Sequence, residues 1–152
     1  MLSAEWCSDC YVITSIVTHP QVYPYVSDDN SPPPEEFKLP EIGPDFFAVS
    51  CFDGGHIVGC FLFRRVDHDC CEIHTCMLPA ARGKAVEFGN LAVQMIFSET
   101  PYSTIVTFIP VTNSKAKRLA IKCGFVEIGD HSPMPIGGEL IETKEFMLSK
   151  YV

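Results

Sequence analysis

Charge is scarce in this chain, and positive charge scarcest of all. Only 20% of its 152 residues are charged, with 11 Lys and Arg against 19 Asp and Glu, a formal net charge of −8. Binding to nucleic-acid phosphates runs on an excess of Lys and Arg, so this balance argues against nucleic acid as the main partner. Apolar runs are short, none approaching the ~18 to 20 residues of a membrane span. The N-terminus carries Glu5 and Asp9 where a signal peptide is basic and then apolar. A cytoplasmic protein outside the membrane is therefore expected. There is no internal repeat. A length near the mode for single domains, with 47% hydrophobic residues, predicts one domain over residues 1–152 whose core needs neither disulfide nor metal.

Cysteine and proline, by contrast, are plentiful at eight and twelve. An even cysteine count in a secreted chain would suggest a disulfide framework. Cys51, Cys60 and Cys76, however, lie inside apolar strand-like runs, where a thiol behaves as a small hydrophobe; reduced, mostly buried thiols are expected. Cys7 and Cys10 form a Cys-x-x-Cys pair, and His68, Cys70 and Cys71 a second cluster. Together they suggest zinc, but the second cluster lacks the usual ligand spacing and no metal is expected. Trp6-Cys7-Ser8-Asp9-Cys10 also has the order of a redox site at a helix N-terminus. The want of a strand ahead of it counts against that reading.

Along the chain, Trp6 to Thr18 is apolar and β-branched and fits a strand or a short helix. Residues 27–44 hold five prolines and several acids, the composition of an irregular surface loop. Phe46–Phe52 and His56–Phe63 flank Asp53-Gly54-Gly55 and predict a β-hairpin. Cys70 to Leu78 predicts a third strand. A helix follows from the stripe Phe88, Leu91, Ala92, Met95 and Ile96. Ser103 to Val111 predicts a central strand, and Asn113 or Ser114 caps a helix that Gly124 stops. Phe125–Gly129 and Leu140–Leu148 predict two last strands joined by a Gly- and Pro-rich loop.

Three features stand in an order that serves one purpose: a strand bearing Glu72 and His74, a small basic loop from Arg82 to Glu87 opening a helix, and Asn113 opening another. Small residues with Arg and Lys at a helix N-terminus make an anion site, because free backbone N–H groups and the positive dipole end face the ligand. A plain strand-to-helix turn is the competing reading. Glu72 and His74 are two apart and share a sheet face. His74 is either a core histidine or a base, and a glutamate on a central strand must be paired, solvated or in a cleft.

In these residues the sequence resembles the GNAT superfamily of acetyl-coenzyme-A-dependent N-acetyltransferases over roughly residues 46–129. Arg82-Gly83-Lys84-Ala85-Val86-Glu87 matches the superfamily's coenzyme loop, and Asn113, Ala116, Gly124 and Phe125 match its second motif. The stretch from Glu72 through Leu78-Pro79 to Glu87, with Ile109 to Asn113, looks most like the short GNAT-like proteins of bacteriophages. The resemblance implies a mixed α/β domain, its central sheet mostly antiparallel and flanked by helices. It also implies acetyl-coenzyme A as cofactor and a small-molecule or peptide amine as partner, with a homodimer left open.

By the same resemblance, backbone groups of Met77 and Leu78 pair with pantetheine. Arg82, Gly83, Lys84, Ala85, Val86 and Glu87 wrap the pyrophosphate, Asn113 lies near the pantetheine or the sulfur, and Lys117 reaches the cofactor. Glu72 stands where relatives carry a glutamate base, with His74 beside it. A lysine-type amine of pKa ~10.4 is ~3.4 units from neutrality at pH 7, so roughly 4 to 5 kcal/mol of deprotonation must be supplied. The sequence departs from the pattern at Ala85, at Glu87, whose carboxylate opposes a pyrophosphate, and at Ala120, where many relatives place a tyrosine that protonates the thiolate; that acid is absent, replaced by a residue such as Tyr102 or Tyr11, or unnecessary because a thiolate leaves readily. The implied reaction is acetyl transfer to a primary amine in a ternary complex. The alternative is a non-catalytic phage structural or host-interacting protein of the same fold.

Overall fold

A computed structural model describes residues 1–151. Seven strands, β1 (Leu2–Cys7), β2 (Phe46–Asp53), β3 (His56–Arg65), β4 (Cys70–Met77), β5 (Thr104–Pro110), β6 (Val126–Ile136) and β7 (Glu139–Ser149), form one sheet in the order β1-β2-β3-β4-β5-β7-β6. Every neighbouring pair is antiparallel except β4 and β5. Four helices flank it: α1 (Cys10–Val17), α2 (Tyr23–Val26), α3 (Ala85–Glu99) and α4 (Ser114–Lys122). The mixed α/β architecture expected from the sequence is present. No described helix is long and apolar enough to cross a membrane.

Alternation along the strands sorts the core into two layers. Val49, Phe61, Phe63, Cys71, Ile73, Ile105 and Phe146 pack on one face with Phe88, Ala92 and Ile96 of α3. Ala48, Cys60, Leu62 and Cys76 pack on the other with Ile13, Ile16 and Val17 of α1. Cys51, Cys60 and Cys76 have no exposure. Burial, aided by the neighbouring Cys60, pushes the Cys51 thiol up to about 12, which suits a thiol used as packing. At the β2–β3 turn Gly54 and Gly55 both adopt positive φ, 59° and 86°, the conformation that a two-residue hairpin demands.

Three expectations are corrected. Trp6 to Thr18 is neither one strand nor one helix: Trp6 and Cys7 end β1, and a new helix starts at Cys10, capped by the Asp9 carboxylate, which accepts from the N–H groups of Tyr11 and Val12. A strand therefore does precede the Cys-x-x-Cys pair, and the argument made from its absence fails. The last two strands are longer than predicted and continue through Pro133 and Pro135 to a tight turn. Those prolines are tolerated because β6 is the edge of the sheet, where a missing N–H breaks no ladder on its outer side.

The segment 27–44 is irregular as expected, apart from one short helical turn at Pro34–Glu36. Its conformation is fixed by a long-range latch. Asp29 accepts hydrogen bonds from the N–H groups of Gly137 and Gly138 at 2.9 and 2.8 Å, while its own N–H donates to the Pro135 carbonyl at 2.8 Å. The loop that follows α2 is thereby fastened to the tip of the β6–β7 hairpin.

Candidate functional site

Parallel pairing between β4 and β5 is confined to Cys70–Thr104, Cys71–Ile105 and Glu72–Val106. Beyond Glu72 the strands part, although β4 stays paired with β3 to Met77 and β5 with β7 to Pro110. A gap thus opens at the C-terminal ends of two parallel strands, where open α/β sheets bind ligands. The Leu78 N–H donates to the Val58 carbonyl at 2.9 Å. Antiparallel pairs alternate between bonded and open, so the backbone groups of Thr75 and Met77 face the gap.

Met77 therefore turns its backbone groups to the gap, and Leu78 does not. The Leu78 amide is committed to Val58 and its carbonyl receives the Ala81 N–H at 2.9 Å. β4 is seated tightly here: a Cβ built on Gly59 would come within 2.7 Å of the Met77 Sδ and 2.8 Å of the Cys76 carbonyl oxygen.

Below the gap lies the start of α3. Gly83 holds φ +82°, a left-handed turn suited to glycine, and Lys84 occupies the cap position without a side-chain cap. The N–H groups of Ala85, Val86 and Glu87 find no acceptor among the described residues. They form the uncapped, positive end of a helix of fifteen residues.

The side chains of this loop divide their duties. Arg82 is exposed, whereas Lys84 forms an ion pair with Asp53 at the end of β2 and holds its carboxyl below the usual range. Lys84 thus ties the loop to the β2–β3 hairpin. Glu87 lines a surface groove with Leu2, Asn90, Leu91 and Gln94 on the β1 side of α3. Asn113 caps α4, its Oδ1 accepting from the Ala116 N–H at 3.1 Å, and Lys117 is exposed one turn on.

Glu72 and His74 share a face, as alternation requires. Glu72 Oε2 meets His74 Nε2 at 3.0 Å, and Glu72 Oε1 receives Arg64 Nη2 at 2.5 Å and Nε at 3.1 Å. The Glu72 side chain is 8% exposed against 43% for His74 and 58% for Arg64. Arg64 lies directly across the β3–β4 pair from Glu72, a partner that the sequence reading missed and that hairpin register could have supplied. Burial alone would raise the Glu72 carboxyl, but bonds and charges from His74 and Arg64 outweigh it and bring it down to about 2.

This pairing has a consequence for acid stability. A carboxyl whose pKa is lower in the folded chain stabilises the fold fully above its ordinary value of 4.5. That stabilisation, about 3 kcal/mol at low salt, is lost as pH falls from 4.5 toward 2. Urea titrations of the wild type and Glu72→Gln across this window should converge at the acid end.

The remaining candidates are resolved by place. Tyr102 precedes β5, at the end away from the gap, and its hydroxyl points to the Pro44 carbonyl at 3.4 Å. Tyr11 stands exposed on α1, and Ala120 is buried against the core. Cys7 pairs with Ala48 at one end of the sheet, while Cys70 and Cys71 begin β4, three strands across. The two clusters do not meet. Asp67, His68 and Asp69 approach one another at the exposed β3–β4 turn.

Comparison with solved structures places the fold among N-acetyltransferases. Spermidine N-acetyltransferase from Vibrio cholerae, solved with CoA and spermine, superposes with a TM-score of 0.80 at 18% identity, covering 99% of this chain and 96% of that one. The Campylobacter jejuni N-acetyltransferase PseH, solved with acetyl coenzyme A, superposes with a TM-score of 0.60 at 16% identity over 71% of this chain and 70% of that one. No curated protein matches the sequence. One family model does, over residues 34–131, a stretch that takes in Glu72, His74, the loop from Arg82 to Glu87 and Asn113. On that match the chain belongs to the family described as "Protein of unknown function (DUF2824)".

Proposed function

We propose that the protein transfers an acetyl group from acetyl-coenzyme A to a primary amine by direct attack in a ternary complex. The observation that carries this reading is the gap between β4 and β5, flanked by the Glu72–His74 pair on one side and the free N–H groups of α3 on the other. The residues fit the cofactor. Backbone groups of Thr75 and Met77 are turned toward a pantetheine arm, and the amides of Ala85, Val86 and Glu87, with Arg82, toward a pyrophosphate. Glu87 lines the groove beside β1. Asn113 contributes the start of α4, Lys117 reaches the cofactor from the next turn, and Lys84 braces the loop through Asp53.

Bound acetyl-coenzyme A supplies an activated acyl thioester; this chain must supply a base. Glu72, expected from the sequence as that base, is poorly suited once both oxygens are paired and its carboxyl is held near 2. His74, half exposed beside the gap, is the better proton acceptor, and Glu72 orients its ring. The same reading places the reaction in a cytoplasm, of a bacterial host if the chain is phage-encoded, where its eight unpaired cysteines stay reduced.

The test is a thermal melt of the reduced protein with acetyl-coenzyme A. At ~100 times Kd a ligand adds ~2.7 kcal/mol, and at this length ~1 kcal/mol moves the midpoint by roughly 2 to 4 °C. A rise of about 5 to 10 °C that Gly83→Val abolishes is expected. No rise at millimolar ligand would sink the reading. It would favour the second one, a non-catalytic binding protein of this fold, for which Ala120 in place of the usual tyrosine speaks.

A further inference from the structure

The sheet face that bears Glu72 and His74 continues past the gap onto β5, β7 and β6. Register sets Phe108 opposite Glu145, and Glu145 opposite Gly129. Extending the β4–β5 register two residues past Glu72 and Val106 brings His74 level with Phe108. One row therefore runs from the His74 imidazole across the gap to an aromatic ring, a carboxylate and a glycine.

The Phe108 ring stacks on His131 with centroids 4.0 Å apart. The two residues come from strands on either side of β7, and Thr143 between them has no exposure. Glu145 beside this stack is half-buried, and among the described residues no cation pairs with it. Its sequence neighbour Lys144 is held instead by Asp130 and Glu142 at 2.5 and 2.8 Å.

A half-buried carboxylate without a cation forfeits hydration and gains no partner, and an aromatic ring beside it adds a second attraction for an organic cation. Resting on the acetyl-transfer reading, we propose that the acceptor is a linear diamine: one amine reacts beside His74 while the other is bound by Glu145 and Phe108. Counted from the gap, β5 and β7 lie one and two paired-strand spacings of ~4.8 Å across, so an amine reacting in the gap and one held at Phe108 and Glu145 are separated by roughly 5 to 10 Å, the reach of a chain of four or five methylenes.

The experiment compares cadaverine with pentylamine, which is nearly as long and lacks the second charge. Calorimetry in the presence of coenzyme A reads binding, and initial rates with acetyl-coenzyme A read KM and kcat. The wild type should bind cadaverine about tenfold more tightly. Glu145→Gln, nearly isosteric and on the sheet surface, should reduce that preference toward unity by raising the KM for cadaverine while kcat changes less than twofold. Equal affinity for both amines in the wild type, or an undiminished preference in Glu145→Gln, overturns the proposal. Binding preference without any acetyl transfer would support the diamine site and count against the proposed reaction, so the two ideas fail separately.

Discussion

His74→Gln is expected to lower kcat for acetyl transfer by about a hundredfold to a thousandfold at pH 7, the usual worth of a positioned base. The size follows from the substrate: an alkylamine is ~3.4 units from neutrality at pH 7, and a group within hydrogen-bond reach must take its proton as the new bond forms. His74 has the required position, on the β4 edge of the gap with Glu72 Oε2 3.0 Å from its Nε2. The acetyl-coenzyme A thermal shift should be unchanged in this variant, since the cofactor contacts proposed above lie on the loop and on backbone groups. In His74→Gly, added imidazole should restore part of the rate, which a merely structural histidine would not permit. Should His74→Gln retain more than half the wild-type kcat, the proton goes elsewhere and the Glu72–His74 pair is only a structural contact.

The second large effect concerns stability. Phe88→Ala should cost about 3 to 5 kcal/mol, the range for emptying a buried aromatic site, against a total stability of roughly 5 to 15 kcal/mol. Phe88 has no exposure and lies in the first turn of α3, packed into the cluster with Phe61, Phe63 and Ile73. Its neighbour Gly89 leaves no room for collapse toward α4, because a Cβ there would lie 2.7 Å from the Cys123 Sγ. A thermal midpoint lower by at least about 6 °C is expected, with the coenzyme shift also weakened as the helix start loosens. A fall smaller than about 2 °C would mean that α3 is anchored by other residues.

Much of this architecture was legible because hydrophobic period and turn chemistry agree. The hairpin around Gly54 and Gly55, the α3 stripe and the Asn113 cap each carry local signals that nothing at longer range contradicts. Strand β1 has a local signal too, the alternation Leu2, Ala4, Trp6 against Ser3 and Glu5, but it is only six residues long and its last two, Trp6 and Cys7, run on into the apolar stretch of α1. The extension of β6 through Pro133 and Pro135 was hidden because proline argues against a strand unless its place at an edge is known.

The site was legible in membership more than in geometry. Glu72 and His74 fall together because of period two, yet the Arg64 partner depends on pairing register, and the occupied amide of Leu78 on the exact end of β4. Glu145 has no motif at all. It gains meaning only from neighbours on β5 and β6 that lie 37 and 16 residues away in sequence, as their numbers show. The Asp29 latch, spanning 108 and 109 residues, is likewise invisible locally.

The parting of β4 from β5 also divides the molecule mechanically. β1 to β4 form one antiparallel ladder and β5, β7 and β6 another, joined across the sheet by three parallel pairs. Such halves are natural units of partial opening, each able to fluctuate while its own ladder stays intact. A pantetheine arm bonded to the edge of β4 would act as a short surrogate strand in that seam. Occupancy of the gap would then stiffen the whole sheet, and the chain would be most pliable in the interval between one ligand's departure and the next one's arrival.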